Sequence, residues 1–71
     1  MHARTLKDDP MGRWSKGEIG QLLENNFDKY DHFVEFAPMY IPPNQRTGFY
    51  KNIVYANRKF YFYENEVEII P

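Results

Sequence analysis

The sequence predicts an all-β fold, a small five-stranded barrel carrying a long loop or an extra hairpin between its third and fourth strands. Three stretches predict it. Lys16-Gly17-Glu18-Ile19-Gly20-Gln21-Leu22-Leu23-Glu24 sets two glycines ahead of an apolar pair, the pattern of a tight bend that opens a strand at a barrel corner. Tyr30 to Phe36 alternates with the period of two that a half-buried strand requires. Phe60-Tyr61-Phe62-Tyr63 is a run of strand-favouring aromatics, followed after a short polar connector by Val67-Glu68-Ile69-Ile70.

In chain order, Ala3 to Lys7 has enough apolar content for a first edge strand, and Asp8-Asp9-Pro10-Met11-Gly12 turns away from it. Trp14 follows that turn and is expected to plug one end of the barrel. In Glu18 to Glu24, Ile19, Leu22 and Leu23 also sit at helical spacing, but Gly17 and Gly20 weaken so short a helix, and a strand is expected. Asn25 to Lys29 reads as a hairpin connection. In the next strand Tyr30, His32, Val34 and Phe36 share one face, with Val34 and Phe36 inward; Asp31, Phe33 and Glu35 share the other. Phe33, between two carboxylates, is expected to pack on an outward aromatic of a neighbouring strand or to touch a partner.

Pro38, Pro42, Pro43 and Gly48 oppose regular pairing from Ala37 to Gly48, so a long surface loop is expected, with Tyr40 and Ile41 folded back as a lid. Phe49 to Tyr55 reads as a further strand or an extra hairpin arm, ended by Ala56-Asn57. In Arg58 to Tyr63, Phe60 and Phe62 are assigned inward and Tyr61 and Tyr63 outward, because a buried tyrosine hydroxyl demands a partner. Glu64, Glu66 and Glu68 give a solvated edge that discourages stray strand pairing.

At 71 residues the chain is expected to form one domain, residues 1–71, that buries only about 60% of the surface its unfolded form exposes. Six Phe, six Tyr and one Trp offset the small size, each removing about 150–250 Å² from water when buried. With no cysteine there is no disulfide framework and no thiolate chemistry, and a cytoplasmic setting is expected. Met1 to Asp9 lacks an apolar signal core and no apolar run is long enough to cross a bilayer, so no membrane association is expected. A net charge of -1 offers no long-range attraction for a polyanion.

Catalysis is not expected. Ser15 is the sole serine and His2 and His32 the only histidines; Asp31 and His32, adjacent in a strand, point to opposite faces and cannot cooperate with Ser15 as a triad. Glu64, Glu66 and Glu68 supply too few converging oxygens for a hard cation, so neither metal nor cofactor is expected.

The order of these elements resembles the five-stranded SH3-like small barrels of bacteria and plastids. Gly17, Gly20 and Leu22 look like the centre of a KOW motif. Val34-Glu35-Phe36 with the terminal Glu66-Val67-Glu68-Ile69 is similar to the small photosystem and ferredoxin-linked barrel subunits. The resemblance covers about residues 3 to 70 and rests on glycines and apolar positions. The Ala37 to Asn57 insertion is longer than such barrels carry, and the Ala-Leu-Tyr-Asp-Tyr signature of proline-binding SH3 domains is absent, so their ligand does not carry over.

Two binding functions then compete. In the first, a small bacterial or phage accessory protein, monomeric or weakly dimeric, docks a partner protein through Trp14, Phe33, Tyr40, Tyr61 and Tyr63, rimmed by Asp31, Glu35, Lys51 and Arg58. In the second, Arg46, Lys51, Arg58 and Lys59 line a groove where Tyr50, Tyr55 or Tyr61 stack on single-stranded nucleic acid, a function that KOW-like barrels imply by analogy. The near-neutral charge and the acidic residues near the C-terminal strand favour the first.

Overall fold

Alternating side chains, separated by glycine and proline, yield strands and short 3-10 turns with no long helix. A computed structural model describes residues 1–71: β1 (His2–Thr5), β2 (Ile19–Leu23), β3 (His32–Tyr40), β4 (Tyr55–Phe62) and β5 (Val67–Ile70) form one antiparallel sheet in the order β4-β3-β2-β1-β5. The all-β class follows, and Glu18 to Glu24 yields a strand rather than a helix. Barrel closure does not follow: β4 and β5 are the sheet edges and no ladder joins them.

The open sheet is nevertheless coiled. Phe62 ends β4 and Val67 opens β5, and Tyr63 with the 3-10 turn Glu64–Glu66 is their whole connection. The five steps from Phe62 to Val67 reach at most about 18 Å when fully extended, and less through a 3-10 turn, short of the ~19 Å that separates the edges of a flat five-stranded sheet. The edges must therefore curl towards each other. The core records this, since Ala3 of β1, Val34 and Phe36 of β3, Phe62 of β4 and Val67 of β5 form one buried cluster, with Trp14, Leu22 and Phe60 packed against it. Val34, Phe36, Phe60 and Phe62 thus point as their alternation requires.

The glycine corner does two different jobs. Gly17 adopts φ 82°, a left-handed conformation that side chains resist, and its N–H donates to the Thr5 carbonyl. Gly20 is instead needed for close approach, because a Cβ there would lie 2.6 Å from Val34 Cγ1 and 2.7 Å from the Glu35 carbonyl oxygen. Thr5 ties the corner to β1: its buried hydroxyl donates to the Ser15 carbonyl and accepts from the Glu18 N–H at 3.1 Å.

The sequence expectations need correction at five places. The first strand is His2–Thr5 rather than Ala3 to Lys7. The expected loop from Ala37 starts late, because β3 continues through Pro38 to Tyr40. A β-bulge makes this possible: Phe36 pairs with Arg58 and Met39 with Ala56, so Ala37 and Pro38 together oppose Asn57, and the missing proline N–H falls outside the ladder. Of the two readings of Phe49 to Tyr55, a further strand or an extra hairpin arm, the separate strand does not form; Gly48–Tyr50 is a 3-10 turn and β4 takes in only Tyr55 of that stretch. The segment after β3 is therefore the tip of a projecting β3–β4 hairpin, in which Tyr40, 52% exposed, does not form a lid. Finally, Tyr30 precedes β3, escapes its alternation, and joins the outward aromatics. No helix is long and apolar enough to cross a membrane.

Candidate functional site

The outward face of the β3–β4 hairpin base carries a continuous set of rings in mutual contact, two pairs stacked and three tilted. Phe33 and Tyr61 are paired across the two strands, and their rings stack at 4.3 Å between centroids with 13° between planes. Tyr30 lies 5.5 Å from Tyr61 and 4.8 Å from Tyr63, while Phe27 lies 5.5 Å from Tyr30 and 5.3 Å from Tyr61. Each such pair contributes about 0.5–1.5 kcal/mol beyond area burial. The rings hold one another rather than entering the core: Tyr30 and Phe33 are half-buried, and Phe27, Tyr61 and Tyr63 are exposed.

The loop before the face is braced as well. Asn25 Oδ1 accepts from the Phe27 N–H at 2.9 Å and Asn25 Nδ2 donates to the Tyr30 carbonyl at 2.7 Å. Asp31 Oδ2 accepts from the Glu64 N–H at 2.7 Å, joining the start of β3 to the turn after β4. Asp28, Asp31, Glu35 and Glu64 flank the rings, against the cations Lys29, over Tyr30, and Lys59, 3.8 Å from Glu35. The face is thus an aromatic ledge with a net acidic rim.

The ledge adjoins a groove of about 340 Å³ whose lining includes Tyr30, Tyr61 and Tyr63 together with Arg13, Trp14 and Glu66. Trp14 belongs to the inner side, edge-on to Phe62 at 4.6 Å and tilted against Phe60 at 5.3 Å, where it packs on the core of the open sheet. Arg13 lies over the Trp14 ring at 4.9 Å and is fixed by Asp9, whose Oδ2 accepts from Arg13 Nε at 2.7 Å and from its N–H at 2.9 Å. These hydrogen bonds, the Arg13 side chain's first, hold the Asp9 carboxyl below its ordinary range.

Arg58 is committed within the molecule. Its Nη1 and Nη2 donate to Glu18 Oε1 and Oε2 at 2.6 and 3.0 Å, and to the carbonyls of Ala37 and Arg13 at 3.2 and 2.6 Å. Its side chain is mostly covered, and it lies over Phe36. The Arg58 guanidinium holds the Glu18 carboxyl below its ordinary value of 4.5. Because Asp9 and Glu18 stay ionised in the folded state at a pH where the unfolded chain already binds protons, their stabilisation is present above pH 4.5 and lost as pH falls towards the folded values. Thermal melts from about pH 6 to about pH 2 are expected to show stability falling from near pH 4.5 downward, with Glu18→Gln flattening part of that acid limb.

Of the residues nominated from sequence for a protein partner, Phe33, Tyr61 and Tyr63 come together, whereas Trp14 faces the core, Tyr40 lies on the arm and Arg58 is locked. Of those nominated for nucleic acid, Arg46, Lys51, Tyr50 and Tyr55 share the arm, with Arg58 and Lys59 at its root. Arg46 donates through Nε to the Ile41 carbonyl at 2.8 Å and through Nη2 to the Tyr40 hydroxyl at 3.2 Å. Strand alternation marks neither Phe27 nor Tyr30 as part of this face. For Phe27 a signal exists, since an aromatic among Asn25, Asn26, Asp28 and Lys29 has no reason to sit in a polar hairpin connection unless it packs.

Comparison with protein-family models, curated proteins and solved structures finds no significant match to this chain.

Proposed function

We propose that this chain is a non-catalytic interaction module that docks a partner protein on the ledge formed by Phe27, Tyr30, Phe33, Tyr61 and Tyr63. The packed and still accessible state of these rings is the observation that carries the proposal. Rings that already hold one another lose little freedom when a partner covers them, so their apolar area turns into affinity efficiently. The fold belongs to the same proposal: the order β4-β3-β2-β1-β5, the coiled sheet and the 3-10 connection before β5 support an open form of an SH3-like small barrel.

The test is capture from a lysate of the source cells, with and without nuclease, by the native chain and by Phe33→Ala with Tyr61→Ala. Both substitutions lie outside the buried cluster, so the double variant is expected to stay folded and to lose the partner, with affinity down at least about 30-fold. Undiminished capture by the folded double variant removes the ledge as the docking surface.

A further inference from the structure

The β3–β4 hairpin continues past the ledge as an arm, and the arm is unfinished in a lone chain. Phe49 is 99% exposed, Tyr50 and Tyr55 are each 61% exposed, and Met39, Ile53 and Val54 are exposed beside them. The cost is visible in the whole molecule. A folded monomer of 8.6 kDa has an accessible surface of about 4,700 Å², whereas this chain has 5548 Å². Its radius of gyration is 13.6 Å, against about 11 Å for a compact chain of 71 residues. The surplus, about 850 Å², matches the ~800 Å² that each partner contributes to a standard protein interface.

Charge says what the surplus fits. Between Ala37 and Asn57 there is no carboxylate, and Arg46 and Lys51 are the only charges. All ten Asp and Glu lie elsewhere, four of them around the ledge. The molecule therefore carries an aromatic surface with cations and, at the other end of the same hairpin, an aromatic surface with an acidic rim. We propose that the arm of one copy docks on the ledge of a second copy of this chain, Lys51 and Arg46 meeting the rim of Asp28, Asp31, Glu35 and Glu64. This rests on the ledge being a docking surface and names its occupant. Backbone pairing between two β4 edges is a poorer route, since a two-fold ladder centred on β4 sets Arg58 or Lys59 against its own copy.

The test is sedimentation of the native chain, of an arm variant (Phe49→Ser with Lys51→Glu) and of a ledge variant (Phe33→Ala with Tyr61→Ala). The native chain is expected to associate, more weakly at high salt. Each variant alone is expected to associate at least about 30-fold more weakly. An equal mixture is expected to regain a one-to-one complex, because the arm variant keeps an intact ledge and the ledge variant an intact arm. Should the ledge variant fail to fold, Phe27→Ser, at an exposed ring, takes its place. A native chain that stays monomeric to about 1 mM, or a mixture that stays monomeric, overturns the inference. So does an arm that binds a single-stranded oligonucleotide in a Phe49- and Lys51-dependent way while self-association ignores the arm variant. Lysate capture that depends on Phe33 and Tyr61 in a chain that does not self-associate leaves the ledge proposal standing and removes only its assigned occupant.

Discussion

Phe62→Ala is expected to leave the protein largely unfolded near its present melting temperature. Phe62 is fully buried at the end of β4, touches Trp14 edge-on and Phe36 at 6.0 Å, and sits where strands from both edges of the sheet meet. Removing a buried phenylalanine costs about 3–5 kcal/mol. A chain of 71 residues has about 4–11 kcal/mol to lose. Only 8 of the residues are buried, so little remains to collapse into the space that Phe62 vacates. Urea unfolding followed by circular dichroism measures this directly, and the melting temperature is expected to fall by at least about 12 °C. Tyr55→Ala, on the exposed arm, is the control and is expected to shift stability by less than about 1 kcal/mol.

Gly20→Ala is expected to be the next most damaging of these changes, by overfilling instead of emptying. The added Cβ meets Val34 Cγ1 at 2.6 Å, the Glu35 carbonyl oxygen at 2.7 Å and Phe36 Cδ1 at 2.9 Å. Two of these atoms belong to buried core side chains and the third is backbone of β3, so β2 must part from β3 to admit a methyl group. A cost at or above the upper end of the ~1–3 kcal/mol range for overpacking is expected. Gly17→Ala gives the contrast, because its site is open and only the left-handed backbone resists, at about 1–2 kcal/mol. Unfolding of the two variants side by side separates steric crowding from conformational strain. Amide hydrogen exchange is expected to speed up along β2 and β3 in Gly20→Ala alone.

What could be read in advance divides by distance along the chain. Alternation within single strands puts Val34 with Phe36, and Phe60 with Phe62, on one face; the hydroxyls of Tyr61 and Tyr63 decide that Phe60 and Phe62 turn inward, and the structure keeps it. Gly17 and Gly20 read alike, as backbone freedom at a bend; Gly17 alone uses it, and the close approach that requires Gly20 depends on Val34 and Glu35 across the ladder. Pro38 misled, because a proline ends a regular ladder but not one that bulges at that residue, and the bulge depends on Asn57 across the hairpin. Tyr30 misled because its face was inferred from a strand that begins only at His32. The Arg58–Glu18 pair joins residues forty apart, and nothing local marks it. The ledge itself lay half in view: Phe33 and Tyr61 follow from outward parity, whereas Phe27 and Tyr30 arrive through a loop whose course Asn25 determines.

Arg58 also decides where the arm points. It stands at the arm's root and is tied by one guanidinium to Glu18, to the Arg13 carbonyl and to the bulged Ala37, so the stretch between β1 and β2 works as a stay on a boom. Lengthening or shortening that stretch would swing the tip without altering any residue that the tip presents. The bearing of the hairpin tip on the sheet is therefore set from outside the hairpin, by a loop between two other strands that is anchored to its root through a single guanidinium.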